Sequence, residues 1–200
     1  MTRVIADITM SLDGFVTGPD PDLEHGLGRG GEPLHTWAVK SDHEVDDRIL
    51  RESTEESGAV VMGRRLFDIV DGPLGWSEEM GYGARHAAAP PFFVVTHQAP
   101  EQVRLNLGFT FVTTGIDDAI RQASAAAGEK NVVVMGGGDV IGQCLDAGLA
   151  HELRLHLAPM VLGAGTPLFR GMRRHLYTQR RVEVSPVATH LFYELHSQVS

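Results

Sequence analysis

Three contiguous glycines, Gly136-Gly137-Gly138, follow the apolar run Val132-Val133-Val134-Met135 and precede Asp139-Val140-Ile141-Gly142-Gln143-Cys144-Leu145. The pattern predicts a buried strand, a tight turn and the first turns of a helix. Glycine lets backbone approach a ligand closely, and a helix start offers unpaired N–H groups at the positive end of its dipole. Such a turn can hold a phosphate or pyrophosphate, although on its own it is equally a strand-to-helix turn with no ligand. A second unit, Val61-Met62-Gly63-Arg64-Arg65, joins a glycine to two guanidinium groups. Arginine forks match phosphate oxygens in pairs, yet alone these read better as surface partners of Asp68 or Glu56. Thr96-His97-Gln98 closes a third strand, Phe92-Phe93-Val94-Val95, with polar groups at the edge where open α/β sheets bind ligands. Three such edges together favour a nucleotide. The glycines are contiguous and late in the chain, which does not fit the G-x-G-x-x-G fingerprint of the Rossmann fold.

A proton donor is harder to find. Asp42 stands just beyond Trp37, with Asp46 one turn later. Asp42 and Glu44 read most simply as acidic partners of a helix dipole. Asp13, in Ser11-Leu12-Asp13-Gly14, is expected to fix a loop. His25, His35 and Trp37 either touch a substrate or pack a lid. Cys144 falls within an apolar helical pattern and is expected to be a core thiol. The ten histidines include no H-E-x-x-H pair, and one cysteine cannot form a cysteine pair, so no metal site is expected.

The elements that would position these residues alternate. Val4 to Thr9 reads as a strand, and Ser11 to Trp37 as a long packed lid. Ser41-Asp42-His43-Glu44 fits a capping box opening a helix to about Ser57. Ala59–Met62, Phe92–Thr96, Phe109–Thr113 and Val132–Met135 read as strands, with helices after Gly63, over Asp117–Ala127 and after Gly138; Gly72 to Pro91 is irregular. This β-α-β-β-α-β-α order predicts a largely parallel sheet. The tail alternates at Leu153-Leu155-Leu157, Val182-Val184 and Leu191-Tyr193-Leu195, the last two runs forming a hairpin around Ser185-Pro186.

The 200 residues carry a net charge of −9, which argues against a general nucleic-acid binder. No apolar run approaches the ~20 residues of a membrane span. The start of the chain lacks a signal-peptide layout, and a lone cysteine suits a reducing compartment, so the cytoplasm is expected. One domain over residues 1–200 is the economical organisation.

Four segments resemble the dihydrofolate reductase-like superfamily, specifically the C-terminal reductase domain of the riboflavin-pathway deaminase–reductase and its free-standing relatives. They are Ser11–Val16, Val61–Arg64, Val134–Gly138 and Glu152–Phe169. The resemblance implies a three-layer α/β/α fold with a mostly parallel mixed sheet of about eight strands and a C-terminal antiparallel hairpin. It further implies NADPH as cofactor and hydride transfer to a pyrimidine ribosylamine or related heterocycle, in a homodimer. By position, Ala6 and Val16 would line the nicotinamide. Gly63, Arg64 and Arg65 would take the 2′-phosphate and pyrophosphate, and Thr96 and His97 would flank the ribose. Gly136, Gly137, Gly138, Asp139, Val140 and Ile141 would cradle the pyrophosphate, with a cis peptide expected at Gly136-Gly137. Substrate would meet Trp37 and His35, and Asp42, near the place where dihydrofolate reductases keep one buried acid on the helix after the lid, would protonate a substrate nitrogen. Two departures are Leu66, where relatives often place a threonine, and Asp139, an N-cap acid close to a phosphate. The alternatives are a true dihydrofolate reductase and a dimeric nucleotide-binding protein without turnover.

Overall fold

The computed structural model describes residues 2–77, 81–82 and 89–195. Strand β1 (Val4–Ser11) is followed by the short β2 (Phe15–Thr17), a 3-10 turn (Glu32–His35), the single-turn α1 (Thr36–Val39) and α2 (Glu44–Glu56). Then come β3 (Ser57–Gly63), α3 (Arg64–Asp71), β4 (Phe92–Val95), β5 (Phe109–Val112), α4 (Ile116–Ala127), β6 (Asn131–Val134) and α5 (Gly138–Asp146). The chain closes with β7 (Glu152–Ala158), β8 (Thr166–Pro167), β9 (Tyr177–Val184) and β10 (Thr189–Leu195).

Eight strands form one sheet in the order β5-β4-β3-β6-β1-β7-β10-β9. The first six are parallel, while β10 runs antiparallel to both β7 and β9. The expected mixed sheet with a terminal hairpin is therefore present. Strands β2 and β8 pair separately, and this ribbon ties the expected lid at Phe15–Thr17 to Thr166–Pro167 near the end of the chain.

Alternation along the strands sorts side chains onto two faces. Val4, Ala6, Leu153 and Leu155 join Ala119, Ile120, Ile141, Cys144 and Leu145 beneath α4 and α5. The opposite face carries two apolar patches. One, around Met62, Phe67 and Phe92, lies under α3; the other, around Trp37, Ile49 and Phe192, lies under α2. Each large side chain fully buried there contributes about 1.5–3 kcal/mol. Between the two patches run β1 and β7, which beyond the buried Ile5 place the polar side chains of Asp7, Thr9, Arg154 and His156 on this face.

Helix α2 departs from the expected capping box. It starts at Glu44, and its N-cap is His43, whose Nδ1 accepts the Val45 N–H at 3.3 Å. Ser41 is engaged elsewhere: its Oγ accepts the His43 N–H at 3.2 Å and donates to Asp46.

Candidate functional site

The sheet opens at one place. Strand β1 pairs with β6 only through Val4–Ala6, but with β7 from Ile5 to Ser11. From Asp7 onward, the edge of β1 that faced β6 has lost its partner, because β6 ends at Val134. Here the connections diverge. The β1-to-β3 crossover passes through α2 on one face, and the β6-to-β7 crossover through α5 on the other. Open α/β sheets bind ligands at the carboxyl ends of strands where connections part in this way.

The glycine turn forms one wall of this cleft. Gly136 and Gly137 have φ of 99° and 20°, backbone that favours glycine. Among the described residues no peptide is cis, which corrects the expectation for Gly136-Gly137. The Gly63 N–H donates to the Gly136 carbonyl at 3.4 Å, and a Cβ at Gly63 would lie 2.8 Å from a Val140 methyl. A Cβ at Gly138 would sit 3.3 Å from a Val16 methyl, and one at Gly136 would sit 3.4 Å from Leu66. The two strand ends are thus pressed together, and Leu66 packs where a threonine hydroxyl was sought. The internal hydrogen bonds of α5 begin with the Val140 and Ile141 N–H groups on the Gly137 carbonyl. The N–H groups of Gly138 and Asp139 precede them. Gly137 is the N-cap, so the reading of Asp139 as N-cap is corrected; Asp139 is exposed in the first turn. Val140 and Ile141 are buried in the core, so they can offer only backbone here.

Arg64 opens α3 beside this turn. Its Nε donates to Asp68 at 2.7 Å and an Nη donates to the Gln98 carbonyl at 2.7 Å, which leaves further N–H donors on the fork. Arg65 is exposed. Thr96 is buried, with its hydroxyl bonded to the Gln98 carbonyl at 2.8 Å, while His97 is exposed one residue on. All four stand at carboxyl ends of parallel strands, as do the glycines.

On the α2 face the cleft floor is a buried polar line. His156 Nε2 contacts Asp7 Oδ1 at 2.9 Å, His156 Nδ1 contacts His190 Nδ1 at 2.7 Å, and His190 Nε2 contacts Asp46 Oδ1 at 2.8 Å. The register produces this line: Thr9, His156, His190 and Glu183 lie opposite one another across β1, β7, β10 and β9. His156 and His190 are 1% and 0% exposed, whereas the Asp7 side chain is 15% exposed. Ser53 on α2 donates to Asp7 Oδ2 at 3.1 Å. Burial works to raise the Asp7 pKa, but His156, Arg154 and Ser53 outweigh it and hold the carboxyl below its usual range. Burial, joined by the charge of His156, pushes the His190 imidazole down against the pull of Asp46.

Trp37 roofs this line. Its ring lies 4.1 Å from that of His156, and its Nε1–H donates to Thr9 Oγ1 at 2.9 Å. His35 is half-buried nearby, with its pKa pushed down to about 4 by desolvation and by the charge of His156. Trp37 therefore covers the cleft floor and His35 lies within electrostatic reach of it, whereas His25 is exposed.

Two positions need correction. Asp42 is exposed ahead of α2 and is not the buried carboxyl sought there; Asp46 is, at 1% exposure. Ala6 is wholly buried on the α5 face and cannot line a ligand with its side chain; Asp7 and Thr9, its neighbours, face the cleft. Val16 is buried against Gly138 at the cleft rim. Asp7, His156 and His190 were missed. Their signal was a charged or imidazole side chain inside strands that are otherwise apolar.

The Ser11–Leu12 loop edge is fixed by Asp13, which accepts Ser11 Oγ–H at 2.6 Å and the Leu162 and Gly163 N–H groups at 3.0 and 2.7 Å. A separate concavity of about 350 Å³ lies at the opposite end of the strands, among Arg3, Arg154, Arg180, Arg181 and Phe192. Its arginines are already paired with Glu56, Glu152, Glu194 and Glu52. It also lies at the amino end of the parallel strands, so it is not the candidate site.

Known proteins share this architecture. The chain is 21% identical over 180 residues to the uncharacterized protein YyaP of Bacillus subtilis (strain 168), covering 87% of this chain and 84% of that protein. A putative riboflavin biosynthesis protein from Shewanella sp. PV-4 superposes with a TM-score of 0.67 at 22% identity, over 98% of this chain and 100% of that one. A deaminase/5-amino-6-(5-phosphoribosylamino)uracil reductase from Thermotoga maritima superposes at 0.62 with 13% identity, over 98% of this chain and 57% of that longer chain. A dihydrofolate reductase from Enterococcus faecalis, complexed with NADP(H), gives 0.58 at 13% identity, over 98% and 97% of the two chains. The fold is dihydrofolate reductase-like. With residues 2–189 matched by the model of the RibD C-terminal domain, the chain belongs to that family.

Proposed function

We propose that this protein is an NADPH-dependent reductase of a nitrogen heterocycle, with a pyrimidine ribosylamine as the substrate class. The observation that carries the reading is the cleft at Asp7, where the sheet parts between a glycine turn and a polar floor. Family membership and the names of the relatives support a reductase.

The residues fit a dinucleotide. A side chain at Gly137 would stand in open space before the first N–H groups of α5, and glycine leaves that approach clear. Gly136, Gly137 and Gly138, with the N–H of Asp139, would hold the pyrophosphate. Arg64, with Arg65 beside it, would hold the 2′-phosphate. Thr96 and His97 would flank the ribose, and Val16 would abut the nicotinamide. The bound coenzyme would supply a hydride. Substrate would lie against Asp7, at the edge of Trp37 and His35, whose rings exclude water from the reacting bond. The exposed Asp139 carboxylate opposes a nearby anion, and Leu66 offers no hydroxyl. These two residues favour the second reading, a nucleotide-binding protein without turnover.

The test is mixing with NADPH, followed by pyrimidine ribosylamine, pterin and carbonyl substrates. Saturable binding and coenzyme oxidation with one of them are expected. Binding without oxidation would replace the reductase by the second reading. Reduction of dihydrofolate in preference to the pyrimidine would replace it by a true dihydrofolate reductase. We also propose a homodimer formed through the C-terminal strands, where Val182 and Val184 are exposed on the edge strand β9. Light scattering should give about twice the chain mass of 21.7 kDa; a single-chain mass at micromolar concentration would refute the dimer.

A further inference from the structure

The line Asp7–His156–His190–Asp46 has a proton count. Each of its three contacts joins two heavy atoms at 2.7–2.9 Å and needs one proton between them. Two neutral imidazoles bring two protons. The third must be an extra one. It resides on a ring rather than a carboxyl, because an imidazole titrates near ~6.5 and a carboxyl near ~4.

The geometry selects the ring. Asp46 is sealed from solvent and accepts a hydrogen bond from the Ser41 hydroxyl on its other oxygen. As a carboxylate it accepts from His190 Nε2–H, and because burial pushes the His190 imidazole down, His190 stays neutral and turns its bare Nδ1 toward His156. At 2.7 Å, His156 Nδ1 must then carry the proton between them. Its Nε2 must also carry one, because Asp7 is a second acceptor. The surrounding charged groups agree. Arg154 on β7 lies beside Asp7, and Glu183 on β9 lies opposite His190. Tyr82 stays neutral, its hydroxyl raised by burial. His35 stays neutral at the cleft mouth because burial and His156 push it down to about 4.

We propose that His156 is a buried imidazolium at neutral pH and is the proton store for the reductive step, discharged through Asp7. This rests on the reductase reading above. In the step, the Nε2–H bond of His156 breaks and an O–H bond forms on Asp7. That O–H bond breaks in turn as an N–H bond forms on the nitrogen of the substrate C=N. The carbon of that bond receives hydride, with its electron pair, from the reduced coenzyme. The cluster passes from one net negative charge to two, with two carboxylates left beside two neutral rings. A solvent proton restores it through Asp7 after product leaves. Asp7 is the catalytic residue that touches substrate; His190 and Asp46 are positioning residues that set the ring proton of His156.

Nitrogen-15 NMR of histidine-labelled protein tests the store without any turnover. At about pH 7.5, both ring nitrogens of His156 should show directly bonded protons, and His190 only at Nε2. A single N–H on His156 overturns the proposal whether or not the protein reduces anything. For the delivery, His156→Gln should lower kcat by about 100-fold or more with NADPH affinity unchanged. In Asp46→Asn, the acid limb of the kcat profile should move while KM holds. Full kcat in folded His156→Gln overturns the role as proton source. Failure of the reductase reading would instead appear as absent NADPH binding, which leaves the NMR result intact.

Discussion

Replacing Arg64 by alanine tests the cofactor assignment at a residue that the structure shows to be only partly committed. Two of its N–H donors are held, one by Asp68 and one by the Gln98 carbonyl, each at 2.7 Å. A charge-assisted hydrogen bond to phosphate is worth about 1.5–3 kcal/mol, and about 1.4 kcal/mol is tenfold in affinity. The Arg64 side chain is 37% exposed, and Asp68 competes for it, so the lower end applies. NADPH should therefore weaken roughly tenfold in Arg64→Ala, while NADH changes by less than about twofold. The lost Arg64–Asp68 pair is a surface i,i+4 contact worth about 0.3–0.5 kcal/mol, so the melting temperature should barely move. Asp68→Ala gives the converse: it releases the guanidinium and should tighten NADPH alone. Calorimetric titration of the three proteins with both coenzymes decides. Equal losses for NADPH and NADH in Arg64→Ala, or no gain in Asp68→Ala, would refute a 2′-phosphate at this arginine.

Three further outcomes follow from named contacts. Gly136→Ala places a Cβ on backbone at φ 99°, 3.4 Å from Leu66, and should cost about 1–3 kcal/mol in denaturant unfolding; unchanged stability would contradict the strained turn. Cys144 is wholly buried, with its thiol pushed up to about 12 by desolvation and by Asp117, so thiol reagents should modify it only as the protein unfolds; rapid labelling of the folded protein would contradict the packing. Asp13 is held at about 2, first by the Ser11 hydroxyl and then by the Leu162 and Gly163 amides. Its folded pKa lies below the unfolded value of 3.8, so the stability it contributes is full above that value and is lost as pH falls towards about 2. Asp13→Asn should flatten the acid arm of the stability curve in that window, and an unaltered arm would remove the loop-fixing role.

The parallel core was legible because apolar runs such as Val132–Val134 and Ala59–Met62 are buried on both faces and read as continuous stretches. The glycine turn was legible for a related reason. Only glycine tolerates the φ of Gly136 and the close approach of Gly63 to Val140. The cleft floor was hidden, because it depends on register between strands far apart in the chain. His156 and His190 meet only when β7 and β10 pair antiparallel in one alignment, and Asp7 reaches them from β1. Asp42 stands near Trp37, yet it is exposed ahead of α2, while the buried acid is Asp46 in the first turn of that helix. Ala6 was misplaced by one residue, and in a strand one residue exchanges the core for the cleft. The β2–β8 ribbon joins three residues to two across the length of the chain, too short for any periodic signal.

The central claim is that a dinucleotide sits on the glycine turn at the place where β1 and β6 part. Titration of the labelled protein with NADPH, followed at the backbone amides, tests it most directly. Saturable shifts concentrated at Gly63 and at Gly136 to Val140 are predicted, with the amides around Asp7 and Thr9 following. Absence of saturation, or shifts gathered at Arg3, Arg180 and Arg181 at the opposite end of the strands, would contradict the account.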